Sequence, residues 1–354
     1  MTRAFASAYR DPKRAIPDPF AVEKLKRVDR PTTRIEDGQV PRVDERDGGF
    51  YRAGQGEFGP TVEREYGRFM DKYALSASLL HMSKMLGQED MVDGDVREGM
   101  APGLDNPIAN ARHIKELAYF LRSDAVGICE LPPYAVFTHS RIDGSPIELK
   151  HKYAIAILVD QDWKTSAAFD GRDWISNSMS FLAYSNSGFI ACVIADYLRR
   201  LGVPARAHHA KNYQVLVPPI LVWAGLGEMS RMGDVVINPF LGPRFKAAII
   251  TTDLPLAIDK PIDFGLQDFC SKCKKCAREC PSGAISDGDK IFSNGYEKWQ
   301  VDVEKCTSFR CSNQYGSGCG TCIKVCPWNK PDTRFHQAIN WSMRNIPFSR
   351  NFAV

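Results

Sequence analysis

Residues 270 to 281 read CSKCKKCARECP, with Cys270, Cys273, Cys276 and Cys280 spaced x2, x2, x3 and followed by Pro281. Thiols this close in sequence cannot reach disulfide geometry without backbone strain, so a soft metal is the better partner. Zinc sites come as separated Cys-x2-Cys pairs rather than four cysteines in a row. The spacing is instead that of a two-cluster iron–sulfur ligand set, in which the cysteine before the proline serves the other cluster. Such a set needs a second run. Cys306, Cys319, Cys322 and Cys326 supply it with spacing x12, x2, x3, again followed by proline, Pro327. Crossing the last cysteines predicts one 4Fe-4S cluster on Cys270, Cys273, Cys276 and Cys326, and another on Cys306, Cys319, Cys322 and Cys280. Cys311 is the alternative to Cys306, although it leaves only seven residues before Cys319. Cys129 and Cys192 lie in apolar stretches and read as buried thiols.

The rest of the chain must position these groups. With 354 residues, 44% of them hydrophobic, it can bury a large core and is expected to form one large unit and one small one. A formal net charge of +4 without a polybasic run gives nucleic acid no footing. The longest apolar runs, 153–159 and 215–226, fall well short of the roughly 20 residues of a spanning helix. The N-terminus lacks the apolar segment of a secretory signal, so the chain as written reads as cytoplasmic.

Residues 1–60 are rich in Pro, Arg, Asp and Gly and read as an extended arm laid over the body. Helical periodicity is predicted over 61–86, 110–123 and 186–202, the last stopping at Gly202. Buried strands are predicted at YAIAILVD (153–160), ARAHH, DVVINP and KAAIITTDL. Helices and strands alternate, giving an α/β layer body over 61–260, a cysteine unit over 261–335 and a tail over 336–354. His208 and His209 are adjacent and should face opposite sides of a strand, in a structural role, with contact of one of them to a cofactor as the alternative.

The chain resembles the reductive dehalogenases, corrinoid and iron–sulfur enzymes that cleave carbon–halogen bonds. The likeness runs through PTTRI (31–35), DERDGGF (44–50), GEFGP (56–60), AGLGEMSRMG (224–233), INPFLGPR (237–244), DKPIDFG (259–265) and CIKVCPWNK (322–330). It implies a nitroreductase-like α/β (α+β) domain holding base-off cobalamin, with a ferredoxin-like two-cluster domain docked beside it. None of the seven histidines stands in an Asp-x-His-x-x-Gly motif, in keeping with base-off binding. The activity implied is replacement of the halogen of an organohalide by hydrogen, with Co(I) cobalamin fed by two 4Fe-4S clusters.

The family pattern places the proton donor at Tyr184, opening the long helix, with Asn212 and Arg244 as neighbours. A phenol keeps its proton at neutral pH, with a reference value of about 10, and releases it when a fixed cation stabilises the phenolate. Arg244 is the expected cation and Lys246 its substitute; Arg310 would contact a polar substituent of the substrate. Gly225 and Gly227 read either as an ordinary helix C-cap or as a place where backbone amides approach the corrinoid. Electrons would come from a ferredoxin, a flavodoxin or a membrane donor. Exported members work beside a small membrane anchor protein, so the alternative location is the outer face of the membrane after loss of a twin-arginine leader. The other readings are an epoxyqueuosine-reductase-like corrinoid enzyme and a plain two-cluster electron carrier.

Overall fold

The computed structural model describes residues 16, 18–171, 173–314, 318–331 and 333–351, so most of the first 17 residues of the expected arm and the last three of the tail lie outside it. The end of the expected arm is not extended but forms α1 (Gly49–Gly54), and α2 (Pro60–Gly67), α3 (Ala74–Leu86), α4 (Glu89–Val92) and α5 (Pro107–Phe120) follow. The helix expected over 61–86 is thus two helices. Its middle leaves helical geometry so that Phe69 and Met70 can be buried with Ala53, Val62 and Cys311. Asn106 caps α5, accepting from the N–H groups of Ile108 and Ala109, and Pro107 fills the first turn, where no donor is needed.

The strands β1 (Ala125–Glu130) and β2 (Tyr153–Asp160) are followed by α6 (Trp163–Ser166), α7 (Ile175–Arg200), β3 (Ala205–His208) and α8 (Val217–Trp223). A short pair, β4 (Glu228–Met229) with β5 (Val236–Ile237), precedes β6 (Phe245–Thr252). The main sheet has order β1-β2-β6-β3 and every pairing is antiparallel, so the body is α+β in detail. Strand alternation divides its side chains between two cores. Ile155, Ile157, Ala248 and Ile250 meet α5 and α7 on one face, while Ala154, Ala156, Leu158, Ala247 and Ile249 meet α8 on the other.

Helix α7 begins 11 residues before the expected start at residue 186, and this moves Tyr184 from the helix opening to its middle. The added turns are rich in Ser and Asn, which favour helices weakly. They are held by α3: Ser76 and Ser178 share a 2.8 Å hydroxyl hydrogen bond, and so do Ser83 and Ser185. The equal offset of both pairs means that the two helices run parallel. By length and composition α7 could cross a membrane, a property the apolar runs did not disclose; here it packs on β3, β6 and α3.

The cysteine segment consists of α9 (Leu266–Cys273), α10 (Lys275–Arg278), the hairpin β7 (Ile291–Ser293) and β8 (Tyr296–Lys298), α11 (Val303–Ser312), α12 (Thr321–Val325) and α13 (Arg334–Asn345). Lys274 takes a left-handed conformation (φ 52°) that ends α9 between two cysteines, and Asn294-Gly295, both with positive φ, closes the hairpin. The arm ties this segment to the body. Val28 donates to the Pro261 carbonyl, Glu36 to that of Gly295, and the Arg42 guanidinium to those of Val136, Phe137 and Ile147.

Candidate functional site

The chain crossing in this segment brings the thiols together as two groups. Cys270, Cys273, Cys276 and Cys326 line one small cavity with Arg231 and Phe269. Burial pushes the Cys326 thiol well up, and the neighbouring Cys270, Cys276 and Cys273 push it further. In the second group burial raises Cys306, with Cys280 and Cys319 adding to it, and burial followed by Cys319 and Cys306 brings Cys322 up to about 12. Burial also acts on Cys280, but the Ser282 hydroxyl and the amides of Ile285, Ser282 and Ala284 outweigh it and hold that thiol below its ordinary value. Four thiols gathered in each group fit a thiolate-ligated cluster, because a soft metal is the partner that four neighbouring thiols can share. Among the described residues no three His, Cys, Asp or Glu are grouped as ligands of a single ion. Cys311 is buried instead in the aromatic core under α2, and Cys129 and Cys192 are buried as expected.

A second centre surrounds Tyr184. The Lys246 ammonium stands 4.9 Å from the centre of its ring, and Phe181 meets it edge-on with centroids 5.7 Å apart. The hydroxyl of Tyr184 neither donates nor accepts a hydrogen bond among the described residues, which leaves its proton uncommitted there. Beyond Phe181 an aromatic wall continues through Phe69, Tyr66 and Phe50, and Arg310 lies 4.4 Å over Phe50. The charge of Arg310 also reaches Cys306 and Cys322, so this residue joins the wall to the second thiol group.

Several expected roles move. Arg244 is buried, with its Nε 2.9 Å from Asp160 Oδ1 and its Nη1 donating at 3.0 Å to the Lys330 carbonyl. It clamps the sheet to the segment after Cys326, and the cation against Tyr184 is its expected substitute, Lys246. Burial pushes the Asp160 carboxyl up and the Arg244 guanidinium pulls it back. Arg244→Ala is therefore expected to cost ~3 kcal/mol of stability, since it leaves a largely buried carboxylate without its cation. Denaturant midpoints test this: Arg244→Lys should recover part of the loss, and an unchanged midpoint in the alanine variant would contradict the clamp.

Asn212 is not free to serve a substrate. Its oxygen accepts from Arg206 Nη2 (2.9 Å), and its amide donates to the Gly87 carbonyl and Glu89 Oε2, both at 3.1 Å. Gly225 follows Ala224, the C-cap of α8, and takes the C′ position. Its N–H donates to the Val222 carbonyl, that of Leu226 donates to Leu221, and its φ of +67° is left-handed, the pattern of a Schellman motif. A Cβ at Gly225 would lie 2.3 Å from the Lys260 carbonyl, and one at Gly227 2.3 Å from that of Ile237. Both glycines thus serve close packing within the protein. His208 and His209 are buried and bonded to Thr251 and to the Leu86 carbonyl, the structural role expected.

Sequence reasoning passed over Lys211 and Tyr213. Lys211 Nζ lies 5.1 Å over the Phe181 ring; burial, then Arg141 and Lys84, bring its ammonium down to about 8. Burial pushes the Tyr213 phenol well up, and Tyr184 beside it adds to that. No local pattern could have suggested them, because residues 209–212 form a tight turn after β3 rather than a strand. Lys211, Lys246 and Arg310 pair with no carboxylate among the described residues, so the wall carries net positive charge. A cavity of about 450 Å³ opens between Asp44, Gly49, Leu216 and Val303 at the head of α11, lined by none of the wall residues.

Residues 269–329 match the family described as the 4Fe-4S double cluster binding domain. Over 198 residues the chain is 39% identical to a tetrachloroethene reductive dehalogenase of Desulfitobacterium hafniense, covering 53% of this chain and 35% of that protein. A tetrachloroethene reductive dehalogenase of Sulfurospirillum multivorans is 26% identical over 92% of this chain and 71% of its own length. A solved reductive dehalogenase, said to suggest a mechanism for B12-dependent dehalogenation, superposes with a TM-score of 0.88 at 41% identity over 94% of this chain and 48% of its own. The chain thus spans about a third of the first relative and about half of the solved one. Likeness over 92% and 94% of this chain, together with a double-cluster segment, makes the chain similar to the reductive dehalogenases over most of its length.

Proposed function

We propose that this chain forms the catalytic part of a reductive dehalogenase that replaces the halide of an organohalide by hydrogen. The reaction consumes two electrons and one proton and releases the halide ion. The observation that carries the proposal is Tyr184, its hydroxyl without a hydrogen bond among the described residues and its ring centre 4.9 Å from the Lys246 ammonium, on an aromatic wall that Arg310 joins to the second thiol group. Cobalamin, bound by a nitroreductase-like sheet body, would supply the strongly reducing centre that the reaction needs. Cys270, Cys273, Cys276 and Cys326 would hold one cluster and Cys280, Cys306, Cys319 and Cys322 the other, passing the electrons singly.

The chain's own groups do the rest. Phe50, Phe181 and Tyr66 form a dry wall against which an unsaturated or aromatic halide lies flat. Tyr184 donates the proton to the carbon that loses halide, and Lys246 stabilises the phenolate that remains. Arg310 and Lys211 draw the departing anion or a polar substituent. A separate ferredoxin, flavodoxin or membrane donor would bring the electrons.

The epoxyqueuosine reading is the weaker one, since likeness to a dehalogenase covers 92% of the chain. The direct test supplies reconstituted protein with a low-potential chemical reductant and either tetrachloroethene or an aryl bromide. Halide release that depends on added cobalamin is expected; none with any organohalide, from protein carrying cobalt and both clusters, would overturn the proposal.

A further inference from the structure

Arg231 lies in the AGLGEMSRMG stretch, and the chemistry above makes no use of it. Its side chain is among the largest that are fully buried, at 2% exposure. The guanidinium donates to four main-chain carbonyls: Cys270 at 3.0 Å, Ser286 at 2.9 Å, Gly288 at 2.8 Å and Ser271 at 3.5 Å. It lies 4.7 Å from the centre of the Trp299 ring, and the Lys290 ammonium is also 4.7 Å from that centre. Among the described residues no carboxylate pairs with Arg231. The Arg231 backbone N–H bonds the Cys270 thiol, and its positive charge reaches Cys270 and Cys276.

A buried cation without a counter-ion is costly, and carbonyl dipoles offset only part of the cost. The nearest thing to a counter-charge in this cavity is the set of four thiols. Loaded with a cluster, that set becomes anionic and gains a further negative charge on reduction. A fixed cation in a low-dielectric wall favours the reduced form, as does an amide aimed at a ligating sulfur.

We propose that Arg231 is a positioning residue that raises the reduction potential of the cluster held by Cys270, Cys273, Cys276 and Cys326, with Lys290 a second and weaker contributor. Lys290 is the weaker because it is only half-buried and donates to Gln267 Oε1 at 2.7 Å, although Cys270 lies within its electrostatic reach. The other thiol group has only the half-exposed Arg310, whose charge water screens.

The proposal rests on the cluster assignment under Proposed function, and one experiment separates the two. The full chain is reconstituted anaerobically, its iron is counted, and each cluster is titrated by electron paramagnetic resonance at a series of fixed potentials. Iron below about eight per wild-type chain defeats the cluster assignment itself, and the inference with it. With both clusters present, Arg231→Gln is expected to lower the potential of one cluster by at least a tenfold change in its reduced-to-oxidised ratio, 59 mV for one electron. Arg231→Lys should restore most of that shift, and the second cluster should stay where it was. Both potentials unchanged in Arg231→Gln would overturn the inference. If the glutamine variant does not load, Lys290→Gln decides: a smaller shift in the same direction supports it, and no shift overturns it.

Discussion

Tyr184→Phe is expected to retain cobalt and iron, bind substrate, and lose turnover by ~10²–10⁴-fold, the usual worth of a general acid. The substitution removes one oxygen from a half-buried ring whose remaining contacts, edge-on Phe181 and the Lys246 ammonium above, persist with phenylalanine. Neither the fold nor the cofactor sites should notice. The assay uses a chemical reductant, so that loss of the natural donor cannot mimic loss of the acid, with metals measured on the same preparations. A fully loaded variant with near wild-type turnover would mean that the proton comes from water or Lys246. Lys246→Met should also slow the reaction, because it leaves the developing phenolate in an apolar wall without a cation.

The second large effect is expected at the cysteines. Cys276→Ala and Cys326→Ala, 50 positions apart in sequence, should remove the same cluster signal, because both thiols line one cavity with Cys270 and Cys273. Cys280→Ala and Cys322→Ala should remove the other signal and spare the first. Cys311→Ala should remove neither and should behave as a core truncation, destabilising the α1–α2–α11 contact. If Cys280→Ala instead matched Cys276→Ala, its neighbour in sequence, the crossed arrangement would be wrong.

The parts of the molecule governed by local spacing were legible in the sequence. YAIAILVD forms a strand with the expected bounds because its alternate residues enter two cores and no turn residue interrupts it. The cysteine runs were legible for the same reason, since a ligand set is a spacing constraint. Features that depend on a distant partner were not. The first turns of α7 hold through serines on α3 that lie 102 residues away. Arg244 and Lys246 are two residues apart, and nothing local says which of them meets Tyr184. Asp160 decides it: the β2–β6 register sets it opposite Phe245, where it engages Arg244 and leaves Lys246 free. The bonding of Asn212 was hidden likewise, because Arg206 of β3, Glu89 of α4 and Gly87 just before α4 engage its amide.

The most direct measurement of the central claim is the metal content of the full chain after anaerobic reconstitution with iron, sulfide and cobalamin. Two complete thiolate sets and the one cobalamin proposed per chain predict about eight irons, about eight sulfides and one cobalt per chain, the cobalt retained through gel filtration. About four irons, or no retained cobalt in protein that keeps both clusters, would contradict it.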